Sequence, residues 1–340
     1  FITFPASGGG YRLKGPWASH MYACIDLGSN SFHLLIGEWK KGRVQIIERL
    51  SEKVQLGENV HISGKISSQA FQRGLNCLQR FKLLMKQYPV KQYWALGTNT
   101  FRVTDNADDF IKEAKVLGID ISMVSGLQEA VLVYAGVITS LSENDTHRLV
   151  IDIGGGSTEI IIGKRTNLLF AESLPIGCVT WRDRFFSNVG HDQKELERKM
   201  DVAVAEARHV FKAAAPGISR IGWHKAYASS GTAKLLASIC QEYGCSGGQI
   251  KLDTLHTLKH KIAECILEGR DLVGLKDRRR DLLLPGWSVM TALMESYKID
   301  TMNFSATALR EGMLDFMVIN EKTLKAMEEN DLPEVSFAKG

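Results

Sequence analysis

No apolar stretch in this chain approaches the ~20 residues that a membrane-crossing helix needs, so a membrane protein is not expected. The opening Phe1-Ile2-Thr3-Phe4 lacks the basic start of a signal peptide. Six cysteines (Cys24, Cys77, Cys178, Cys240, Cys245 and Cys265) are scattered with no Cys-x-x-Cys pair. That excludes a disulfide framework and a zinc ribbon, and reads as reduced thiols in a cytoplasmic protein. Gly-x4-Gly-Lys-[Ser/Thr] does not occur, so there is no P-loop. Gly-x-Gly-x-x-Gly fails too, because Glu159 stands where its last glycine belongs. Charge of neither sign dominates. The net charge is +4 and the pI about 8.6, a mild basicity that suits an anionic ligand without demanding sequence-specific nucleic acid.

What is present is ordinary globular composition, 44% hydrophobic and 24% charged over 340 residues, enough for two domains with real cores. Two segments share one shape. Ile25-Asp26-Leu27-Gly28-Ser29-Asn30-Ser31 leads into the apolar run 32–37. Ile151-Asp152-Ile153-Gly154-Gly155-Gly156-Ser157-Thr158 leads into another at 160–163. Each reads as a strand ending in Asp, a loop of small residues and a returning strand. Such loops bare backbone N–H groups, and concave arrays of these bind anions, above all phosphate. Two copies imply two related domains gripping one phosphate chain.

The pattern predicts strands at 22–26, 32–39 and 43–50, with a hairpin turn at Lys40-Lys41-Gly42. A helix capped by Ser67 or Ser68 runs to about Tyr88, where Pro89 ends it. A strand at 92–96, a helical region containing Arg102, a helix at 107–117 and a strand at 119–124 follow. Ser125-Gly126-Leu127-Gln128 reads as a capping box before a further helix. The second half repeats the plan with strands at 149–152, 158–163, 168–173 and 225–228. Its helices fall at 193–214, 233–243, 255–267, 284–297 and 308–319. Alternating strands and helices mean α/β layers, and the early hairpins make each sheet mixed. We therefore expect a first domain over 21–142 and a second over 143–319. The last helix is placed with the second domain, with packing back on the first as its alternative. Residues 1–20 read as a tag or linker, since Gly8-Gly9-Gly10 is linker-like and His20-Met21 resembles a cloning scar. Residues 320–340 read as a loose tail.

The Gly154–Thr158 loop is the strongest chemical signal, because glycines let backbone approach a ligand closely. One such hairpin alone is more often a plain turn, but the matching first loop reverses that. Asp26 and Asp152 each end an apolar strand, and Glu159 lies just beyond the second loop. These acids could hold Mg2+ through oxygen ligands, or could accept N–H bonds from their own turns. Ser229-Ser230-Gly231-Thr232 and Gly97-Thr98-Asn99-Thr100 place small polar residues ahead of helices, as phosphate sites or as ordinary caps. Arg102 could grip phosphate bidentately or serve as an ion-pair partner. Lys276-Asp277-Arg278-Arg279-Arg280 is a solvated face or a steering patch for a polyanion. Glu129, in the first turn of a capped helix, reads by itself as a complement to the helix dipole.

The residues that carry these signals resemble the exopolyphosphatase/guanosine pentaphosphate phosphohydrolase (Ppx/GppA) family of the actin–hexokinase–Hsp70 superfamily. The matching segments are Ile25–His33, Gly97–Arg102, Ser125–Ala130, Val150–Glu159, Ser229–Thr232 and Leu309–Gly312, in family order. The resemblance implies two RNase H-like (actin-like ATPase) domains with the active-site cleft between them. It implies Glu129 as the catalytic acid that activates water, and Asp152 and Glu159 as acids around Mg2+ or another divalent cation, to which the matching position of Asp26 in the first loop leads us to add Asp26. It implies phosphate binding by Ser29, Asn30, Ser31, Arg102, Gly155, Gly156, Ser157 and Thr158, to which we add Ser230, Gly231 and Thr232. The family often carries two acids in Ser-Gly-x-Glu-Glu-Ala, and here the first is Gln128. Longer relatives also continue into a further helical region.

The expected activity is metal-assisted release of terminal orthophosphate from inorganic polyphosphate, with Glu129 as general base. Its ordinary carboxyl pKa of about 4.3 leaves it ionised near neutral pH. The alternative substrate is guanosine pentaphosphate, cut at its outermost phosphate. Gly177-Cys178-Val179-Thr180-Trp181 resembles that subgroup without yielding a base-recognition argument. Outside hydrolysis, the architecture also serves small-molecule kinases and actin- or Hsp70-like nucleotide-binding modules. The expected partners are the phosphate-chain substrate and a possible second copy of the chain, with no membrane.

Overall fold

The computed structural model describes residues 20–319 apart from Gly42, Glu143 and Lys276. The leader at 1–19, the tail at 320–340 and Lys276 of the basic run thus lie outside the described residues. The chain divides into two compact units. One runs to Thr139 and takes up the helix that begins at Leu309; the other spans Ser140–Ala308.

In the first unit, strands β1 (His20–Leu27), β2 (Phe32–Lys40), β3 (Arg43–Glu52), β4 (Val90–Gly97) and β5 (Ile121–Met123) form one sheet in the order β3-β2-β1-β4-β5. β1, β2 and β3 are joined by antiparallel pairing, while β4 and β5 run parallel to β1. Continuous apolar stretches cover both faces: Ile25, Leu27, Phe32, Leu34 and Ile36 line one and are buried with Phe81 and Phe110, while Tyr22, Cys24 and Leu35, which point the other way, are buried too. The helix Ser68–Met85 is capped by Ser67, whose hydroxyl accepts from the Ala70 N–H at 3.2 Å. It ends three residues short of Tyr88, because a residue before proline disfavours helical backbone. The helix Leu309–Ile319 packs on the helix Gly126–Ile138 and on β1.

The second unit repeats this order with one strand added. β6 (His147–Ile153), β7 (Thr158–Lys164), β8 (Asn167–Leu174), β9 (Lys225–Ser229), β10 (Gln249–Lys251) and β11 (Thr301–Phe304) run β10-β11-β9-β6-β7-β8. β8-β7-β6-β9-β11 reproduces β3-β2-β1-β4-β5 in pairing sense, and β10 is an added antiparallel edge. The helices Gln193–Phe211, Leu252–Glu268 and Leu283–Tyr297 share the second core. β10 and β11, three and four residues long, were not expected from the sequence, being too short to show an alternation. All six cysteines are free and buried. No helix among the described residues is long and apolar enough to cross a membrane.

Candidate functional site

The two hairpin loops are built alike. In the first unit Gly28 N–H donates to Ser31 O at 3.1 Å; in the second Gly154 N–H donates to Ser157 O at 2.9 Å. Both close a four-residue turn, so the register after each turn is fixed. Asp26 stands opposite His33 and Asp152 opposite Glu159. The carbonyls of both loops are tied down from outside. Ser29 O accepts from Gly57 N–H at 2.9 Å and Asn30 O from Gln55 N–H at 2.8 Å. Gly154 O accepts from Cys178 N–H at 2.9 Å, and Gly155 O from Val179 and Thr180 N–H at 2.9 and 3.2 Å. Anchoring carbonyls this way fixes the peptide planes, and with them the direction of the N–H groups, which is what an anion-binding loop requires.

Within the first unit the Ser29 hydroxyl accepts from Thr100 Oγ1 at 2.7 Å, joining the first loop to the Gly97–Thr100 segment. Asn30 Nδ2 reaches Ser31 Oγ at 3.3 Å, and Asn30 Oδ1 is buried with no hydrogen-bond partner among the described residues. Arg102 and Glu129 meet: Nη1 donates to Glu129 Oε2 at 3.0 Å and to Val124 O at 2.8 Å. Glu129 is only 6% exposed, and burial of a carboxylate demands such a partner. It sits in the first turn of the helix Gly126–Ile138, whose capping box is complete. The Ser125 hydroxyl accepts from Gln128 N–H at 3.1 Å, and Gln128 Oε1 accepts from Ser125 N–H at 2.8 Å. Gln128, where the family often has an acid, is thus a cap residue, a task Gln performs as well as Glu.

Within the second unit Asp152 and Glu159 are 5% and 1% exposed. They face the same side of the sheet, each with a carboxylate oxygen within 4.8 Å of the other's. Like charges directly opposite are destabilising unless something positive is shared. Ser157 and Ser173 donate to Glu159 at 3.3 and 2.6 Å, and the Ser230 hydroxyl donates to Asp152. An all-oxygen set of this kind fits a hard divalent cation. The first unit differs here, since His33 takes the position that Glu159 takes in the second.

Ser230 opens the helix Ser230–Glu242 with φ of 78°, a left-handed conformation costing a non-glycine residue about 1–3 kcal/mol. Beside it, a Cβ on Gly231 would land on the Arg279 guanidinium, 2.9 Å from Cζ. The Thr232 hydroxyl shares a 2.9 Å hydrogen bond with Cys178 Sγ, and Thr158 Oγ1 donates to Ile176 O at 2.7 Å. These two predicted phosphate ligands therefore have hydroxyls engaged with the protein. Arg279 entered from the sequence only as part of a basic cluster, while Gln55, Gly57 and the backbone role of the Gly177–Thr180 stretch were missed as parts of the site. Their contacts are largely made by backbone groups, which leave no side-chain pattern to read.

The Ppx/GppA phosphatase family model matches residues 35–321. A guanosine-5'-triphosphate,3'-diphosphate pyrophosphatase of Photobacterium profundum is 34% identical over 332 residues, 94% of this chain and 65% of the relative. One of the same name from Pseudoalteromonas translucida is 38% identical over 301 residues, 88% of this chain and 59% of the relative. The chain thus spans less than two thirds of the length of these relatives. Among solved structures, an exopolyphosphatase from Cytophaga hutchinsonii is 25% identical with a TM-score of 0.79, over 88% of this chain and 98% of that one. An Aquifex aeolicus Ppx/GppA family member is 24% identical with a TM-score of 0.69, over 89% of this chain and 99% of that one. Sequence and fold agree over most of the chain's length, and the chain belongs to the Ppx/GppA phosphatase family.

Proposed function

We propose that this chain hydrolyses a terminal phosphoanhydride, with water as the acceptor and orthophosphate as the product. The observation that carries the reading is the buried Glu129 held by Arg102 at 3.0 Å. A fixed carboxylate beside a fixed cation can orient a water in line and accept its proton. As the water oxygen bonds to the terminal phosphorus, the bridging P–O bond breaks and the shortened chain leaves with its electron pair. Arg102 offsets charge on the transferring phosphoryl, and such stabilisation is most of the catalytic task in phosphoryl transfer.

Asp152 and Glu159 would hold a divalent cation, Mg2+ first, which supplies further neutralisation of phosphate charge. Asp26, opposite a histidine rather than a second acid, is left as the weaker ligand of the three. The loops at Ser29–Ser31 and Gly155–Thr158, with Ser230, Gly231 and Thr232, cradle the phosphates on this reading.

The sequence reading put inorganic polyphosphate first. The names of the relatives at 33–38% identity favour the alternative, guanosine 5'-triphosphate 3'-diphosphate, and we place it first. Polyphosphate stays second, on the name of the structural neighbour at 25% identity. The test is kcat/KM for guanosine pentaphosphate, long polyphosphate and ATP on one purified sample. Guanosine pentaphosphate is expected to lead. A polyphosphate preference reverses the order, and ATP turnover that requires a second acceptor overturns hydrolysis.

A further inference from the structure

The Gly177–Trp181 stretch has no place in the chemistry above, yet it touches both the glycine-rich loop that begins at Gly154 and, at Thr232, the Ser229–Thr232 turn. Gly177 precedes the helix Cys178–Phe185. A Cβ there would fall on the Gly155 carbonyl and 2.5 Å from Gly156 N, so backbone lies directly on backbone. The first N–H groups of a helix are open to an anion. Here those of Cys178, Val179 and Thr180 are filled by the carbonyls of Gly154 and Gly155. This helix end is therefore a prop for the loop and not itself a phosphate site.

The same helix reaches the Ser229–Thr232 turn through its first residue, Cys178, and one turn further on reaches the Asp277–Leu282 segment through Arg182. Cys178 and Arg182 are four residues apart, on one face. Cys178 Sγ shares its bond with Thr232. Arg182, its side chain only 13% exposed, donates from Nη1 to Asp281 at 2.8 Å and from Nε to Asp183 at 3.0 Å. Asp281 belongs to the two-turn 3₁₀ helix Asp277–Leu282, which also carries Arg279 onto Gly231.

We propose that Cys178 and Arg182 are positioning residues, through which one helix sets the Gly154–Ser157 loop and the Ser229–Thr232 turn in register for a single phosphate chain. This rests on the hydrolytic reading above. Neither residue touches substrate. Cys178 acts through Thr232, and Arg182 acts through Asp281 on the segment that braces Gly231 and, beside it, Ser230 and Asp152.

The experiment is steady-state phosphate release from guanosine pentaphosphate and from polyphosphate by wild type, Asp281→Ala, Asp281→Glu, Cys178→Val and Cys178→Ser, with thermal unfolding alongside. Asp281→Ala and Cys178→Val are expected to lower kcat/KM roughly 10- to 100-fold, the scale of a small misplacement at a reacting centre, with little change in Tm. The conservative Glu and Ser forms recover most of it. The double variant loses less than the product of the singles, because both act on one turn. Should Cys178→Val fail to fold, the Asp281 pair carries the test, since Asp281 is a third exposed. An active wild type with silent variants, or with losses that track Tm and resist conservative rescue, overturns the positioning role alone. A wild type that releases no phosphate from either substrate overturns the hydrolytic reading, and the positioning role with it.

Discussion

Arg102 Nη1 stands 3.0 Å from Glu129 Oε2, with the arginine also anchored on the Val124 carbonyl. The sequence left Arg102 open between a phosphate grip and an ion pair, and gave Glu129 no more than a helix-dipole role by itself. Their pairing decides what each substitution does. Glu129→Gln keeps the side chain's shape and a hydrogen-bond acceptor for Arg102 but removes the base. Turnover is expected to fall by about 10²–10⁴ while substrate affinity is retained. Near-wild-type kcat would remove Glu129 from the role of base. Rate and equilibrium binding, measured on the same sample, separate the two.

Arg102→Ala leaves the Glu129 carboxylate buried without its cation. Truncating one partner of a buried charged pair costs about 3–5 kcal/mol, reduced here because Arg102 keeps some solvent access. The variant is expected to lose both thermal stability and turnover. Arg102→Lys keeps the charge but loses the planar fork, and should recover stability more than rate. Equal recovery of both would mean that the guanidinium geometry is irrelevant to the chemistry.

Gly312 tests the packing of the first unit. On the helix Leu309–Ile319, a Cβ at this position would fall on the Leu132 carbonyl oxygen and come within 2.7 Å of Leu132 C and 3.1 Å of Gly136 N. These are backbone atoms of a neighbouring helix and cannot rotate away. Gly312→Ala is expected to destabilise by roughly 1–3 kcal/mol, the cost of overpacking a core, although alanine is the better helix former. Denaturant unfolding reads this directly, and a stabilised variant would show that the two helices move apart freely.

Much of the site was legible because the hairpins are. A strand with Asp as its last residue but one, four loop residues and a returning strand fix the register by turn length, so the pairing of Asp152 with Glu159 follows once the turn is identified as Gly154–Ser157. Gln128 looked like a departure in the sequence and is a cap in the structure. What was illegible is the underside of the loops. Gln55 and Gly57 support Ser29 and Asn30, and Cys178–Thr180 support Gly154 and Gly155, through main-chain N–H groups donated from remote sequence. Any non-proline residue can make such a bond. Only the glycines at 57 and 177, where a Cβ would strike the loop or its neighbours, leave a trace, and glycine has many other reasons to occur.

Glu52 and Arg80 give the pH dependence a sign. Arg80 Nε and Nη2 donate to the two oxygens of Glu52 at 2.6 and 2.5 Å. The Arg80 bond holds the Glu52 carboxyl below its usual range, against a smaller opposite effect of burial. A carboxylate whose folded pKa is depressed adds stability above its unfolded pKa, about 4.3, and loses it as pH falls through the lower folded value. The pair links β3 to the helix Ser68–Met85 and lies at the surface, with Arg80 about half exposed and Glu52 a quarter, so its contribution at neutral pH is about 1 kcal/mol. Arg80→Ala should therefore unfold slightly more easily than wild type at pH 7. The two should converge as pH drops below about 4, and the gap at pH 7 should shrink in high salt. A gap that does not narrow at all as pH falls below about 4 would assign the loss to the packing of the arginine stem on the sheet.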